Sequence, residues 1–502
     1  MPRCEPTDGS DPGAEAARAT PQPSPTRAPP GPGTMRAATT HALLALLTSL
    51  VALSPPAQAE GDASSSQEAS SGGVLADEVN LDDLDDLVPL SEATGLTVQD
   101  IRILGLGRTS PGVVERELYI ARGQLLREED LTESIQRLWN TALFRDVRYQ
   151  LTRAPEGGVV VWLAVGERWT TIPIVKFGGG GGSTYFIVGV YDPNAFGEYI
   201  ELGGQYQNTN LNTHSGVVWF REPRFLGLRL RWSAELWYTN IVRPLYRDGT
   251  NVLEGGYNQE RLQVFNAFDY EVVRYVQVGV GFEFDNDRFN TRNLTEDQQA
   301  ANDAFGLDLP SGGRTSFAEA RLILGRLDRD EFLFQGVQMT NRFKRASKLI
   351  GSELNLNFIH SETLAFLRLP WRSNLATRVT VGHNNTDADQ HLFFIGGLDY
   401  MRGYFDGQLR GHNFWQANVE YRIPSVDTSW VVLQHVGFAD VGDVSDSFAD
   451  LATFERAPRT SLGLGVRLMS PRIYRLTVRF DYAVTLENDT PQAISFSAAQ
   501  FF

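Results

Sequence analysis

Tyr474-Arg475-Leu476-Thr477-Val478-Arg479-Phe480-Asp481-Tyr482 alternates without a break. Successive side chains of a strand point to opposite sides. Tyr474, Leu476, Val478, Phe480 and Tyr482 therefore share one face, and Arg475, Thr477, Arg479 and Asp481 the other. The same period returns upstream, where Leu230, Trp232, Ala234, Leu236 and Tyr238 oppose Arg231, Ser233, Glu235 and Thr239. A soluble sandwich also alternates, but its charged face would meet bulk water and would need few aromatics, which here make up 11% of the chain. In a membrane barrel, charge on the lipid face costs about 2–4 kcal/mol at the midplane. The charged set is then the lumen set.

Working outward from that stretch, residues 170–502 divide into sixteen such segments, an even number as bacterial outer-membrane barrels have. Their connections alternate in length. Pro193 to Phe196 and Ser470-Pro471 are short, whereas about 241–259, 287–313, 384–412 and 441–459 are long. Short turns belong to the periplasmic end of such barrels and long loops to the outside. The fold expected is mainly β: a sixteen-stranded antiparallel transmembrane β-barrel preceded by one small α+β domain.

Other classes drop out. No run of 18 apolar residues occurs, which excludes a helical membrane bundle. A net charge of −16 points away from nucleic acid. Lys176, Lys344 and Lys348 are the lysines, and none precedes Ser or Thr, so there is no GK[ST] phosphate loop. The one cysteine, Cys4, excludes disulfide frameworks and thiolate metal sites. Neither a GxSxG elbow nor HExxH is present. His383, Asp387, Asp389 and His391 match no standard metal spacing, so no metal and no cofactor are expected.

The amino-terminal region reads as an address. Residues 1–34 are low-complexity, disordered or untranslated, with Met35 as the better start. Arg36, the apolar stretch Ala42 to Leu53 and the Ala57-Gln58-Ala59 box make 35–59 a signal peptide. Residues 60–95, with Asp82, Asp83, Asp85 and Asp86, read as an acidic disordered linker.

A small domain follows at 97–167. A strand at Ile101 leads through Gly105-Leu106-Gly107 to a helix from Val113 to Tyr119. A second helix from about Glu128 to Leu143 places Leu131, Ile135, Leu138 and Trp139 on one face. Two strands, ending near Thr152 and Val165, complete a β-α-α-β-β order, with Leu131, Ile135, Leu138, Phe144 and Val161 as expected core. The Gly-x-Gly lacks the third glycine and downstream acid of a dinucleotide site. The order, with Leu143-Phe144-Arg145-Asp146-Val147 and Val165-Gly166-Glu167, resembles a POTRA domain. That resemblance implies capture of extended peptides by strand addition.

Gly396-Gly397-Leu398-Asp399-Tyr400-Met401-Arg402-Gly403-Tyr404 resembles the GG…RG(F/Y) element of BamA/TamA-type outer-membrane assembly factors and two-partner-secretion transporters; Met401 stands where the family usually has Val. Asn418-Val419-Glu420-Tyr421-Arg422-Ile423-Pro424, Gly437-Phe438-Ala439-Asp440-Val441-Gly442 and the turn Asn194-Ala195-Phe196-Gly197 resemble further elements of that family. The carboxyl end, Ile494 to Phe502, resembles a barrel-assembly signal, with Gln500 departing from the usual apolar residue.

The resemblance implies an outer-membrane protein, with 97–167 in the periplasm, that assists insertion or translocation of proteins or envelope components. It implies no enzyme activity; its partners would be outer-membrane lipid, client polypeptides and periplasmic accessory proteins. A passive channel or surface antigen of the same fold is the alternative. In the resemblance, the 384–412 loop folds inward. An arginine carried into a lumen loses water and needs acceptors. Asp440 and Glu420 lie on lumen-facing positions, so Arg402 is expected to pair with Asp440, with Glu420 as second acceptor. Gly403 would supply a tight turn and Tyr404 a wall contact. Five glycines from Gly178 weaken the first strand. Gly178, Gly179 and Gly180, with Phe496 and Phe502 on the last strand, are the expected lateral seam.

Overall fold

A computed structural model of the chain describes residue 81 and residues 84–497, apart from 181–182, 210, 248–249, 251, 331, 387, 398–399, 454–456, 474–475 and 487–492. The expected 1–34 segment and signal peptide, Asp387, Tyr474, Arg475 and Phe502 lie outside the described residues.

The small domain begins earlier than its sequence suggests. Helix α1 (Leu90–Ala93) precedes β1 (Val98–Leu104), α2 (Pro111–Glu117), α3 (Glu128–Thr141), β2 (Phe144–Arg153) and β3 (Val159–Glu167). The three strands order as β1-β3-β2, with β1 parallel and β2 antiparallel to β3. Leu131, Leu138, Phe144 and Val161 are buried together, and Ile135 packs against them. The period of α3 set that face; Ala142, at φ +60, ends the helix in the left-handed conformation.

Residues 84–95 are folded onto this domain, which corrects their expected place in a disordered linker. Val88 and Ala93 join the core, and Leu81 and Leu84 pack against Leu104, Val160 and Trp162 on the opposite face of the sheet. Apolar residues interleaved with the aspartates supply the burial that composition alone hides.

One antiparallel sheet then follows in chain order, sixteen strands among the described residues. Its first eleven strands are β4 (Ile172–Gly180), β5 (Ser183–Ala195), β6 (Ile200–Thr209), β7 (His214–Glu222), β8 (Leu230–Tyr246), β9 (Leu253–Val273), β10 (Val276–Asn290), β11 (Gly313–Asp330), β12 (Leu333–Ala346), β13 (Leu356–Leu369) and β14 (Ser373–Asn384). A two-stranded ribbon, β15 (Phe393–Ile395) and β16 (Leu409–Gly411), interrupts the order. The sheet resumes with β17 (Asn413–Asp427), β18 (Val432–Ser445), β19 (Arg459–Met469), β20 (Thr477–Thr485) and β21 (Ala493–Ser497). Strands β4 and β21 lie beside each other, so the sheet curls around an interior.

Alternation decides which face is inside. In β20, Arg479 and Asp481 are buried while Phe480 and Tyr482 are exposed. In β19, Arg467 is buried and Leu464 is 71% exposed. Exposed apolar residues outside and buried charge inside are the inverse of a soluble protein, and suit a lipid exterior.

The expected long connection 241–259 is mostly strand. β8 and β9 continue to Tyr246 and from Leu253, and helix α4 (Glu296–Phe305), which lies in the expected 287–313 loop, packs on the outer end of β9. Asn302 both accepts from the Gly256 N–H and donates to its carbonyl, at 2.8 and 2.9 Å. A Thr295–Gln298 capping box starts the helix.

Candidate functional site: the interior clamp and the domain joint

The segment between β14 and β17 turns into the interior. Arg402 is 1% exposed and its guanidinium meets two walls. Nε and Nη2 donate to the Asp440 carboxylate at 2.8 and 2.7 Å, the Arg402 N–H donates to the same group at 3.1 Å, and Nη1 donates to Glu420 at 2.5 Å. This is a forked, charge-assisted contact. β17 and β18 supply the carboxylates because Asn418 and Asp440 are cross-strand partners, with Glu420 one inward position along.

Sequence parity missed the rest of the cluster. Arg467 donates to Asp481 at 2.5 Å and to Glu420 at 3.1 Å; Arg422 donates to Glu420 at 2.8 Å; Asp481 lies 3.7 Å from Arg402. Three guanidinium groups thus meet three carboxylates. The Phe438 ring lies under Arg402, 3.5 Å from its centroid. Tyr404 is 2% exposed and donates to the Thr460 carbonyl at 3.2 Å, and Asn418 donates to the Tyr400 carbonyl at 2.9 Å.

Gly403 has φ +97, and a Cβ there would stand 3.1 Å from Thr485 Cγ2 and 3.4 Å from Ala483 and Ser461 Cβ. Gly403→Ala is expected to strain the turn and push the loop off the wall, costing about 1–3 kcal/mol. Increased protease cleavage within 384–412 would register it, and cleavage unchanged from the parent would contradict it.

The same segment has a second attachment. Arg261 Nη2 donates to the Gln390 carbonyl at 2.7 Å, and His391 lies against Thr315 (3.1 Å) and the Phe317 ring (5.5 Å). His383 instead contacts Asn413. The two histidines of the sequence cluster thus serve different neighbours. Farther along, Phe405 stacks on Tyr246 and Gln408 donates to the Thr250 carbonyl, so the segment reaches the β8–β9 end as well.

The opposite, short-turn end is occupied by the small domain. Arg137 of α3 bridges Glu117 and Glu271, both at 2.9 Å, and Arg224 reaches Glu117 at 2.5 Å and Glu271 at 3.4 Å. Gln136 donates to the Arg329 carbonyl at 3.0 Å, Asn140 to Asp328 at 3.2 Å, and Glu133 pairs with Arg326. Helix α3 therefore crosses from the β9–β10 turn to the β11–β12 turn. Its Asn140 and Thr141 help line an interior cavity of about 670 Å³, whose walls carry Arg221, Arg231, Glu235, Glu283 and Lys344.

The Asn194-Ala195-Phe196-Gly197 turn is the other half of this joint. Asn194 donates to Thr109 Oγ1 and the Ser110 N–H donates to the Gly197 carbonyl, both at 2.9 Å. Gly197 has φ +78, and a Cβ there would lie 2.2 Å from the Arg108 carbonyl oxygen. Only glycine admits that approach. Glu167 accepts from the Arg108 and Thr109 N–H groups at 2.9 and 2.8 Å. Burial raises the Glu167 carboxyl, but these hydrogen bonds outweigh it and hold it below the usual carboxylate value. The stabilisation is therefore present above the unfolded pKa and is lost as pH falls through the folded one. Crosslinking between 108–110 and 194–197 should weaken on acidification through the carboxylate range, and Glu167→Gln should remove that component of the pH response. An unchanged response in the variant would show that Glu167 is not the group.

The expected seam residues sit as follows. Gly178, Gly179 and Gly180 pair with Tyr185, Thr184 and Ser183 at the long-loop end of β4, within a hairpin. Phe496 is the cross-strand partner of Phe480. Among the described residues β21 contributes five residues to the sheet. At the short-turn end Arg168 donates to the Pro471 carbonyl at 2.5 Å, and Trp169 bridges Ile473.

The structure is similar to BamA from Haemophilus ducreyi lacking POTRA domains 1-3, at TM-score 0.50 and 15% identity over 80% of this chain and 84% of that one. It is similar to CdiB from Acinetobacter baumannii, at TM-score 0.53 and 13% identity over 80% and 74%, and to CdiB from Escherichia coli, at 0.53 and 12% over 81% and 76%. No curated protein matches the sequence. A profile of the Omp85 superfamily domain matches residues 194–502, from the docked Asn194 turn through the interior clamp to the carboxyl end. The chain belongs to the Omp85 superfamily, a family of outer-membrane β-barrel proteins concerned with protein insertion and translocation.

Proposed function

We propose that this protein inserts or translocates polypeptides at the outer membrane, with the small domain, a POTRA-type unit, in the periplasm and the long loops outside. It makes and breaks no covalent bonds. The work is to lower the barrier for a client at the seam between β4 and β21. One observation carries this reading: both ends of the interior are crossed by clamped elements, Arg402 and its loop at one end and α3 at the other, while the last strand adds five described residues beside β4. An open, passive pore has no use for two such clamps.

A photocrosslinking residue placed in cells at Gly179 of β4 or Ser495 of β21 tests it. Adducts with unfolded or partly folded outer-membrane polypeptides are expected. Lipid adducts alone at both sites, with steady ion conduction, would favour the passive channel.

A further inference from the structure

The edge of the small domain's sheet is already occupied by the chain itself. The Val88 N–H donates to the Leu151 carbonyl at 2.8 Å, the Arg153 N–H donates to the Asp86 carbonyl at 3.3 Å, and Leu87 bridges Thr152 in antiparallel register. These bonds add a short strand to β2, the outer strand of the β1-β3-β2 order. The added segment continues over the face opposite the helices. Leu81 is 3% exposed there, in a cluster with Leu104, Ala154, Val160 and Trp162, and Leu84 packs on its border. The pairing ends at Pro89, where the chain turns into α1. The rest of the β2 edge, toward Tyr149 and Arg148, extends beyond the added strand.

Chemistry matches the pair. The segment carries Asp85 and Asp86, and β2 carries Arg145, Arg148 and Arg153, with Arg102 stacked on Trp162 at 4.7 Å on the covered face. Asp86 also holds φ +58, a left-handed conformation that a non-glycine residue adopts at a cost. The occupant is thus short and internally strained. Exposed strand edges invite pairing with other chains, and covering them is the usual protection.

We propose that residues 84–88 are a displaceable resident strand, and that the surface beneath them and Leu81 docks an extended polypeptide with leucines spaced between acidic residues. The reading deepens the proposed client handling by assigning the surface and its ligand class. A docking strand first displaces the resident one. Apparent affinity is then the intrinsic affinity reduced by the fraction of molecules whose edge is open.

The test uses the full chain in detergent and a fluorescent peptide carrying residues 79–90, read by anisotropy. Binding does not require insertion activity, so failure here and failure of the insertion reading are separate results. Leu81→Ser with Leu84→Ser loosens the outer-face packing and leaves the β2 bonds in place. The peptide should bind this variant at least about tenfold more tightly than the parent. In a Cys4→Ser background, Leu87→Cys with Thr152→Cys places a disulfide across a directly opposed pair, whose spacing suits one. Oxidation should weaken peptide binding at least about tenfold, and dithiothreitol should restore it. The reduced form is the reference, so loss of the Trp162–Thr152 hydrogen bond is common to both states. Equal binding by oxidised and reduced forms overturns the proposal. So does absence of tightening in the serine variant while its thermal transition is retained. If that transition is lost, the disulfide pair alone decides.

Discussion

Arg402→Ala should free the loop from the interior wall and leave the sheet assembled. Removing one partner of a buried ion pair strands the other charge, at a typical cost of about 3–5 kcal/mol. Here the loss is shared: Asp440 loses its fork, and Glu420 keeps Arg422 and Arg467. The sheet itself is held by cross-strand ladders that do not include Arg402. Heat-dependent gel migration should therefore report a folded barrel, whereas protease should cut within 384–412 and activity should fall. Arg402→Lys keeps the charge but not the planar fork, and should recover little. Asp440→Ala should resemble Arg402→Ala, and the double variant should cost less than the sum of the two. Additive effects, or a protected loop in Arg402→Ala, would remove the clamp from the account.

The joint at the other end should respond as strongly to Glu117→Ala. Glu117 is 4% exposed and lies between Arg137 and Arg224, which also share Glu271. Its removal leaves two guanidinium groups on one carboxylate, again a change of about 3–5 kcal/mol in docking. The domain should stay folded, because its core at Leu131, Leu138 and Phe144 does not involve Glu117. Conductance across a planar bilayer should rise as α3 leaves the opening, and crosslinks between Asn140 and Asp328 should be lost. A variant with parental conductance and intact crosslinks would show that the other contacts of α3 suffice.

The sequence carried the strand pattern because an inward-charged, outward-apolar surface repeats every two residues whatever the loops do. The inward placement of Asp440 and Glu420 was read from parity, and that of Arg402 from the resemblance of its loop motif, which implies an inward fold. Parity does not tell height along the barrel. Asp481 and Arg467 therefore stayed hidden until the β19–β20 register placed them beside Glu420. The domain joint was less legible still, since Arg224 and Glu117 are 107 positions apart and share no local pattern. The outer ends of β8 and β9 read as loop because Asn258 and Gln259 break the apolar alternation; both are buried, and Gln259 donates to Asp287 at 2.8 Å. The resident strand was read as linker because four aspartates dominate its composition, while its burial rests on a few apolar side chains.

Purified protein in liposomes, supplied with a urea-unfolded outer-membrane barrel, tests the central claim most directly through the client's folding rate. The account predicts faster client folding than in empty liposomes, with the acceleration reduced in Arg402→Ala. Steady ion conduction with no acceleration of folding would contradict it.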